Sequence, residues 1–133
     1  MTRYLLDTTF LIDYLAGTDA VREFLEAHED GEFATTAMNY KEVAVGRRLD
    51  GDFDPERLAA AFAWLDVVPI TGEHALAASA FEADPYRSDD HTRRAVDAAT
   101  ADLLIAGVAD AEGMTVVART VDDFEPFVPV AAY

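Results

Sequence analysis

Residues 2–15 read TRYLLDTTFLIDYL. Tyr4, Leu5 and Leu6 make a short apolar run, the pattern of a buried strand. Asp7 stands directly at its end. Thr8 and Thr9 follow, and the apolar run from Phe10 stops at Gly17, which reads as a short helix opened by a capping-type threonine and closed by glycine. A strand, a carboxylate and a helix in immediate succession raise the question of why an acidic group terminates the first core strand.

The same alternation continues along the chain. TDAVREFLEAHEDG (18–31) has Val21, Phe24, Leu25 and His28 on one helical face, with Gly31 ending it. EFATT (32–36) is a strand, and Thr36 is the expected N-cap of a helix running to Gly51. DPERLAAAFAWLD (54–66) starts a helix with Asp54 as cap and Pro55 in the first turn, where proline is tolerated. VVPI (67–70) reads as a strand, EHALAASAFEAD (73–84) as a helix and PYRSDDHTRR (85–94) as a polar loop. AVDAATADLLIAGVADAEG (95–113) reads as a long helix, TVVA (115–118) as a strand, RTVDDF (119–124) as a turn or single helical turn, and PVAAY (129–133) as a last strand. Strands separated by helices, with no hairpin signal, predict an α/β fold with a parallel sheet. Such sheets bind ligands beyond the carboxyl ends of their strands. Asp7 and Asp123 both fall there.

Composition narrows the function classes. The chain has 133 residues, enough for one domain. Hydrophobic residues make up 51% of it, which supports a packed core and argues against disorder. No apolar run approaches the roughly 20 residues of a membrane span, and no export signal opens the sequence, so a cytoplasmic location is expected. With no cysteine, disulfides and thiol catalysis are excluded. Asp and Glu number 26 against 10 Lys and Arg, a net charge of −16, and Lys41 is the sole lysine. An acid-rich, lysine-poor, alanine-rich chain with an ordinary core matches a halophilic cytoplasm, where salt screens self-repulsion. The charge then reports the solvent rather than a ligand.

Further carboxylates lie in apolar surroundings: Glu42 in MNYKEVAVG, Asp102 in ATADLLIAGVA, and Asp122 and Asp123 before Phe124. A buried carboxylate is costly unless it is paired or metal-bound. Helix capping by Asp7 and an ion pair between Glu42 and Arg47 are the structural alternatives. Brought together, such acids raise one another's pKa unless a cation lies between them. Oxygen donors without cysteine suit a hard cation, Mg²⁺ or Mn²⁺. His28, His74 and His91 have no zinc spacing, and His28 is expected to pack on its own helix.

Taken together, YLLDTTFLIDYL (4–15), TTAMNYKEVAVGRRL (35–49), ADLLIAGVADAEG (101–113) and VARTVDDFEPF (117–127) resemble the PIN-domain ribonucleases of the VapC toxin type, in order and at family-like spacing. The resemblance implies one PIN domain over residues 1–133, a three-layer α/β/α fold around a mostly parallel sheet of four to five strands. It also implies an acidic pocket of Asp7, Glu42, Asp102 and Asp123 that holds one or two Mg²⁺ or Mn²⁺ ions. Thr8 matches the hydroxyl position after the first Asp. Ala118 and Thr120 stand where the family has a threonine and an amide, so Asp122 stays a candidate beside Asp123. VDAAT (96–100) replaces a Gly-Pro-type turn, and Asp97 within it is read as a surface residue. The implied activity is endoribonucleolytic, leaving 5′-phosphate and 3′-hydroxyl ends on a structured RNA such as tRNA or rRNA. The implied partners are a small antitoxin, a basic side chain of which enters the pocket, and a second copy in a homodimer.

Arginines cluster near the acids in sequence. Arg47 and Arg48 follow Glu42, Arg87, Arg93 and Arg94 precede Asp102, and Arg119 precedes Asp123. Arg47, Arg48, Arg94 and Arg119 are the candidate RNA contacts, since arginine pairs with phosphate bidentately. Two phosphoryl-transfer readings fail on the residues. An aspartyl phosphatase wants an Asp at the position of Thr9, and a receiver domain wants a lysine later than Lys41. The remaining alternative is a non-catalytic module of the same fold that binds RNA or protein.

Overall fold

A computed structural model of the chain describes residues 1–87 and 100–133. Five strands form one sheet: β1 (Arg3–Leu6), β2 (Glu32–Thr36), β3 (Asp66–Val68), β4 (Thr115–Ala118) and β5 (Val130–Ala132). Their order is β3-β2-β1-β4-β5 and every pair is parallel. Leu5 pairs with Ala34 on one side and Val116 on the other, which puts β1 at the centre. Successive connections run outward from β1 to β2 and β3, then return to β4 and β5 on its other side. The crevice between the ends of β1 and β4 is therefore the switch point at which such sheets place ligands.

Six described α-helices cover the two faces: α1 (Thr8–Ala16), α2 (Asp19–Ala27), α3 (Ala37–Leu49), α4 (Pro55–Ala61), α5 (Gly72–Arg87) and α6 (Thr100–Glu112). Side chains alternate across the strands. Leu5, Ala34, Val116 and Ala118 pack with Ile105, Ala106, Val108 and Ala109 of α6. Leu6 and Val117 point the other way, onto Phe10, Leu11, Val21, Phe24, Val43 and Leu58 of α1 to α4. The result is the expected α/β/α arrangement, with an all-parallel five-stranded sheet. Gly107 makes the α5–α6 packing close, because a Cβ there would lie 2.7 Å from the His74 carbonyl oxygen and 2.8 Å from Ala78. Gly17 ends α1 at φ 73° and returns its N–H to Tyr14, as its place in the sequence predicts.

Boundaries differ in three places. The helix from Pro55 stops at Ala61, four residues before Leu65, and Trp64 donates its indole N–H to the Ala61 carbonyl to close that end. The third strand is Asp66–Val68 rather than 67–70, in register with Ala34–Thr36. The fifth helix continues past Asp84 through Pro85 to Arg87, where the sequence predicts a polar loop. Residues 88–99, with most of the expected loop and the start of the long helix, lie outside the described residues. His28 packs as expected, donating from Nδ1 to the Phe24 carbonyl and stacking on the Phe24 ring. His74 is also a core residue: Nδ1 accepts the Thr71 N–H, so Nε2 donates to Glu112 at 2.9 Å.

Candidate active site

Asp7 is the N-cap residue of α1, yet its side chain makes no capping bond. Its backbone holds it instead. The N–H donates to Val117 of β4 at 3.1 Å, and the carbonyl accepts from Leu11 at 3.2 Å. The carboxylate is thus not used as a cap and lies at the crevice between β1 and β4. Capping, the structural alternative for this residue, does not account for it.

A hydrogen-bond chain starting at the end of β2 fixes the neighbouring groups. Thr36 caps α3 and forms a reciprocal capping box with Asn39. Asn39 is fully buried. Its Oδ1 accepts from the Thr36 hydroxyl at 2.6 Å and the Thr36 N–H at 3.4 Å, so its Nδ2 must face the other way. There Nδ2 donates to Asp7 Oδ1 at 3.2 Å and to Thr8 Oγ1 at 2.9 Å. Thr8 passes its own proton on to Glu42 Oε2 at 2.5 Å. The chain ends on two carboxylates, Asp7 through Asn39 Nδ2 and Glu42 through the Thr8 hydroxyl. Nearby, Thr35 pins the strand ends by donating to the Leu6 carbonyl at 2.8 Å. The sequence reading missed Asn39. Its signal was the spacing from Thr36, a cap residue three positions ahead, and from Glu42, one helical turn behind.

Asp102 lies half-buried in the first turn of α6. Its carboxyl is pushed up to about 6, first by burial and then by the charges of Asp123, Asp7 and Glu42. Asp7 is also raised, chiefly by burial, with Glu42 and Asp123 adding to it while the Thr8 N–H and Asn39 pull it down. Asp7, Glu42, Asp102 and Asp123 therefore lie within electrostatic reach of one another. Asp123 is exposed on the 3₁₀ turn Val121–Asp123, anchored from below by Phe124, which is 1% exposed. Asp123, rather than its neighbour Asp122, is the charge of that turn that acts on Asp7 and Asp102.

Mutual repulsion among oxygen donors is the electrostatic signature of a site for a hard cation, and the donor chemistry fits Mg²⁺ or Mn²⁺. Among the described residues, no group of three or more His, Cys, Asp or Glu side chains lies close enough together, as the side chains stand, to hold a metal ion.

The candidate arginines are engaged elsewhere. Arg47 pairs with Asp52 at 3.7 Å, not with Glu42, and Arg48 lies 3.8 Å over the Phe53 ring. Arg119 donates to Asp13. Arg93, Arg94 and Asp97 lie outside the described residues. A groove of ≈ 340 Å³ runs from Glu42 between α1 and α3, with Ile12, Leu15, Val43 and Arg47 in its walls. Ile12 is 52% exposed there, while Phe10 and Leu11 of the same helix are fully buried.

Residues 4–125 match the family described as PIN domain. No curated protein sequence matches the chain. Among solved structures, a toxin–antitoxin complex from Klebsiella pneumoniae has a chain 21% identical, with a TM-score of 0.74 over 96% of this chain and 95% of that one. DNA-bound VapBC from Salmonella typhimurium gives 21% identity and a TM-score of 0.75 over 99% and 98%. FitAcB from Neisseria gonorrhoeae gives 20% and 0.67 over 96% and 95%. At these identities the likeness is one of fold.

Proposed function

The chain belongs to the PIN-domain family, and from that premise we propose that it is a Mg²⁺- or Mn²⁺-dependent endoribonuclease, the toxin of a VapBC-type toxin–antitoxin pair. It hydrolyses RNA phosphodiesters to 5′-phosphate and 3′-hydroxyl ends, and residues 1–133 act as one PIN domain. The observation that carries this reading is the set of four carboxylates from four separate segments at the switch point of the sheet, where burial first and then the neighbouring charges raise Asp7 and Asp102.

Asp7, Glu42, Asp102 and Asp123 would hold one or two ions. When bound, such ions acidify an attacking water and neutralise charge on the phosphodiester. The protein's part is orientation. Asn39 holds the Asp7 carboxylate, and Thr8 holds that of Glu42. Glu42 would then serve as a ligand or orient the attacking water. Asp102, whose carboxyl is pushed up to about 6 by burial and then by the neighbouring charges, would be a direct ligand with Asp7. Asp123 completes the set from the exposed turn, with Asp122 beside it.

At a net charge of −16, RNA affinity rests on local cations and shape. Concentrated salt weakens phosphate contacts, which favours a structured RNA over random sequence. Arg47, Arg48, Arg94 and Arg119 are the proposed contacts. The antitoxin covers the apolar groove beside Glu42, reached by Ile12 and Leu15, and a homodimer is the proposed assembly. Among the described residues, no helix is long and apolar enough to cross a membrane, and the cytoplasm is the proposed location.

The test is cleavage of structured RNAs such as tRNA in high KCl, with Mg²⁺, with Mn²⁺, with chelator, and with Asp7→Asn and Asp102→Asn proteins. Discrete metal-dependent cuts with 5′-phosphate ends, lost in both variants, are expected. A folded, antitoxin-free protein that cuts none of several structured RNAs would return the reading to a non-catalytic binding module, the alternative that Ala118 and Thr120 in the late motif favour.

A further inference from the structure

A second acid of α1, Asp13, is buried at 8% exposure although its helix face is otherwise apolar. Its Oδ2 accepts a hydrogen bond from the Arg119 guanidinium and a second, of 2.7 Å, from the Tyr133 hydroxyl. The three residues come from distant parts of the chain: α1, the residue directly after β4, and the residue directly after β5. Tyr133 is itself wedged edge-on against Phe10 of α1, with ring centroids 4.9 Å apart. The Arg119 side chain is 58% exposed, so most of it stays in water while its inner edge is fixed.

What this network spans is specific. Helix α1 begins at Thr8, with Asp7 as its cap, and so carries one half of the acidic pocket. Arg119 opens the segment that carries Asp122 and Asp123. That segment is exposed from Arg119 to Asp123 apart from half-buried Val121, and the fully buried Phe124 secures its far end. Asp13 secures the near end. The turn is thus fastened at both ends, and one fastening is made to the helix that positions Asp7.

The geometry points to Asp13 and Arg119 as positioning residues, with Tyr133 in support. Their contact sets the distance between the Asp123 turn and Asp7, and so tunes the affinity of the carboxylate pocket for divalent metal. This rests on the proposed metal-binding role of that pocket. It also gives Arg119 a task inside the protein beside the proposed RNA contact.

Mn²⁺ affinity of the RNA-free protein, measured by calorimetry in high KCl, tests the inference. Thermal unfolding confirms that each variant is folded. Asp13→Ala and Arg119→Ala are expected to weaken Mn²⁺ binding by roughly tenfold, the usual cost of losing a group that supports metal ligands. Arg119→Lys is expected to restore most of it, and Tyr133→Phe to have a smaller effect in the same direction. Should Asp13→Ala not fold, the Arg119 pair, at an exposed position, carries the test. Native Mn²⁺ affinity in folded Arg119→Ala overturns the inference. So does a rise in KM for RNA in Arg119→Ala alone with metal binding intact, which would assign the guanidinium to the substrate. Asp102→Asn serves as the control that abolishes binding. A wild-type chain that takes up no Mn²⁺ overturns the metal reading of the pocket, and this inference with it.

Discussion

Asp7 and Asp13 belong to the same helix, one as its cap and one in its second turn, and their environments push them in opposite directions. Asp7 is raised, mainly by burial, with two further carboxylates adding to it. For Asp13 burial also pushes upward, but the Tyr133 hydroxyl and the Arg119 bond and charge outweigh it and hold the carboxyl below its ordinary range. Removal from water is common to both. What separates them is whether the chain itself supplies the counter-charge. At Asp13 it does, so the acid stabilises the fold. At Asp7 and Asp102 it does not, and the unspent charge remains available to something that binds. A carboxylate retained without a partner costs stability, which a folded chain tolerates where function needs it.

The largest effect should come from breaking the uncompensated side. Asp7→Asn and Asp102→Asn keep the shape and remove a charge. Each should lower the rate of RNA cleavage by about a hundredfold or more, since several kcal/mol of transition-state stabilisation are lost at 1.36 kcal/mol per tenfold. Neither should lower Tm in chelator, and Asp102→Asn should raise it slightly, because it removes repulsion. Thermal scans beside single-turnover cleavage check both halves. A large loss of Tm in either variant would mean that these acids are structural.

Asn39 sharpens the comparison, because it belongs to both kinds of chemistry. It satisfies a helix cap through Thr36 and orients the free carboxylate through Nδ2. Asn39→Ala should cost about 1–2 kcal/mol through the lost side-chain half of the capping box and the lost bonds to Asp7 and Thr8. It should also cost roughly tenfold in activity through the loosened Asp7. Asn39→Asp keeps the cap but points an acid at Asp7. It should therefore lose at least as much stability as the alanine variant at neutral pH, because the new acid is buried against Asp7, and at least as much activity. Denaturant unfolding and cleavage rates on the two variants separate the contributions.

These contrasts also explain what the sequence could tell. The alternation from YLLDTTFLIDYL onward was enough for a parallel α/β sheet, because period and punctuation are local. Asp7, Glu42 and Asp102 stood out because each interrupts an apolar run. Asp13 interrupts the same run as Asp7, yet it passed as part of the helix. Its partners lie 106 and 120 residues away, and only the sheet order brings β4 and the chain end over α1. For the same reason the bond from Arg119 to Asp13 was not legible. Whether a carboxylate is compensated is a tertiary property. The sequence could identify acids in apolar surroundings, but not which of them the fold would neutralise.

The smallest effect lies on the compensated side and depends on pH. Asp13→Asn removes the charge and leaves an acceptor, so it should cost about 1.5 kcal/mol near neutral pH, the lower end for a hydrogen bond to a charged group. Because the Asp13 carboxyl is lowered in the folded protein, its contribution is fully present above the unfolded value of 3.8 and is lost as pH falls through the folded value. The stability gap between wild type and Asp13→Asn should therefore be flat from pH 7 down to about 5 and then close as the medium is acidified. Paired urea titrations across that window measure it. High KCl should narrow the gap only slightly, since the carboxylate is buried even though the guanidinium is exposed. A gap that widened with acidification would mean that Arg119 does not stabilise the Asp13 charge, and the two acids of α1 would no longer differ in the way described.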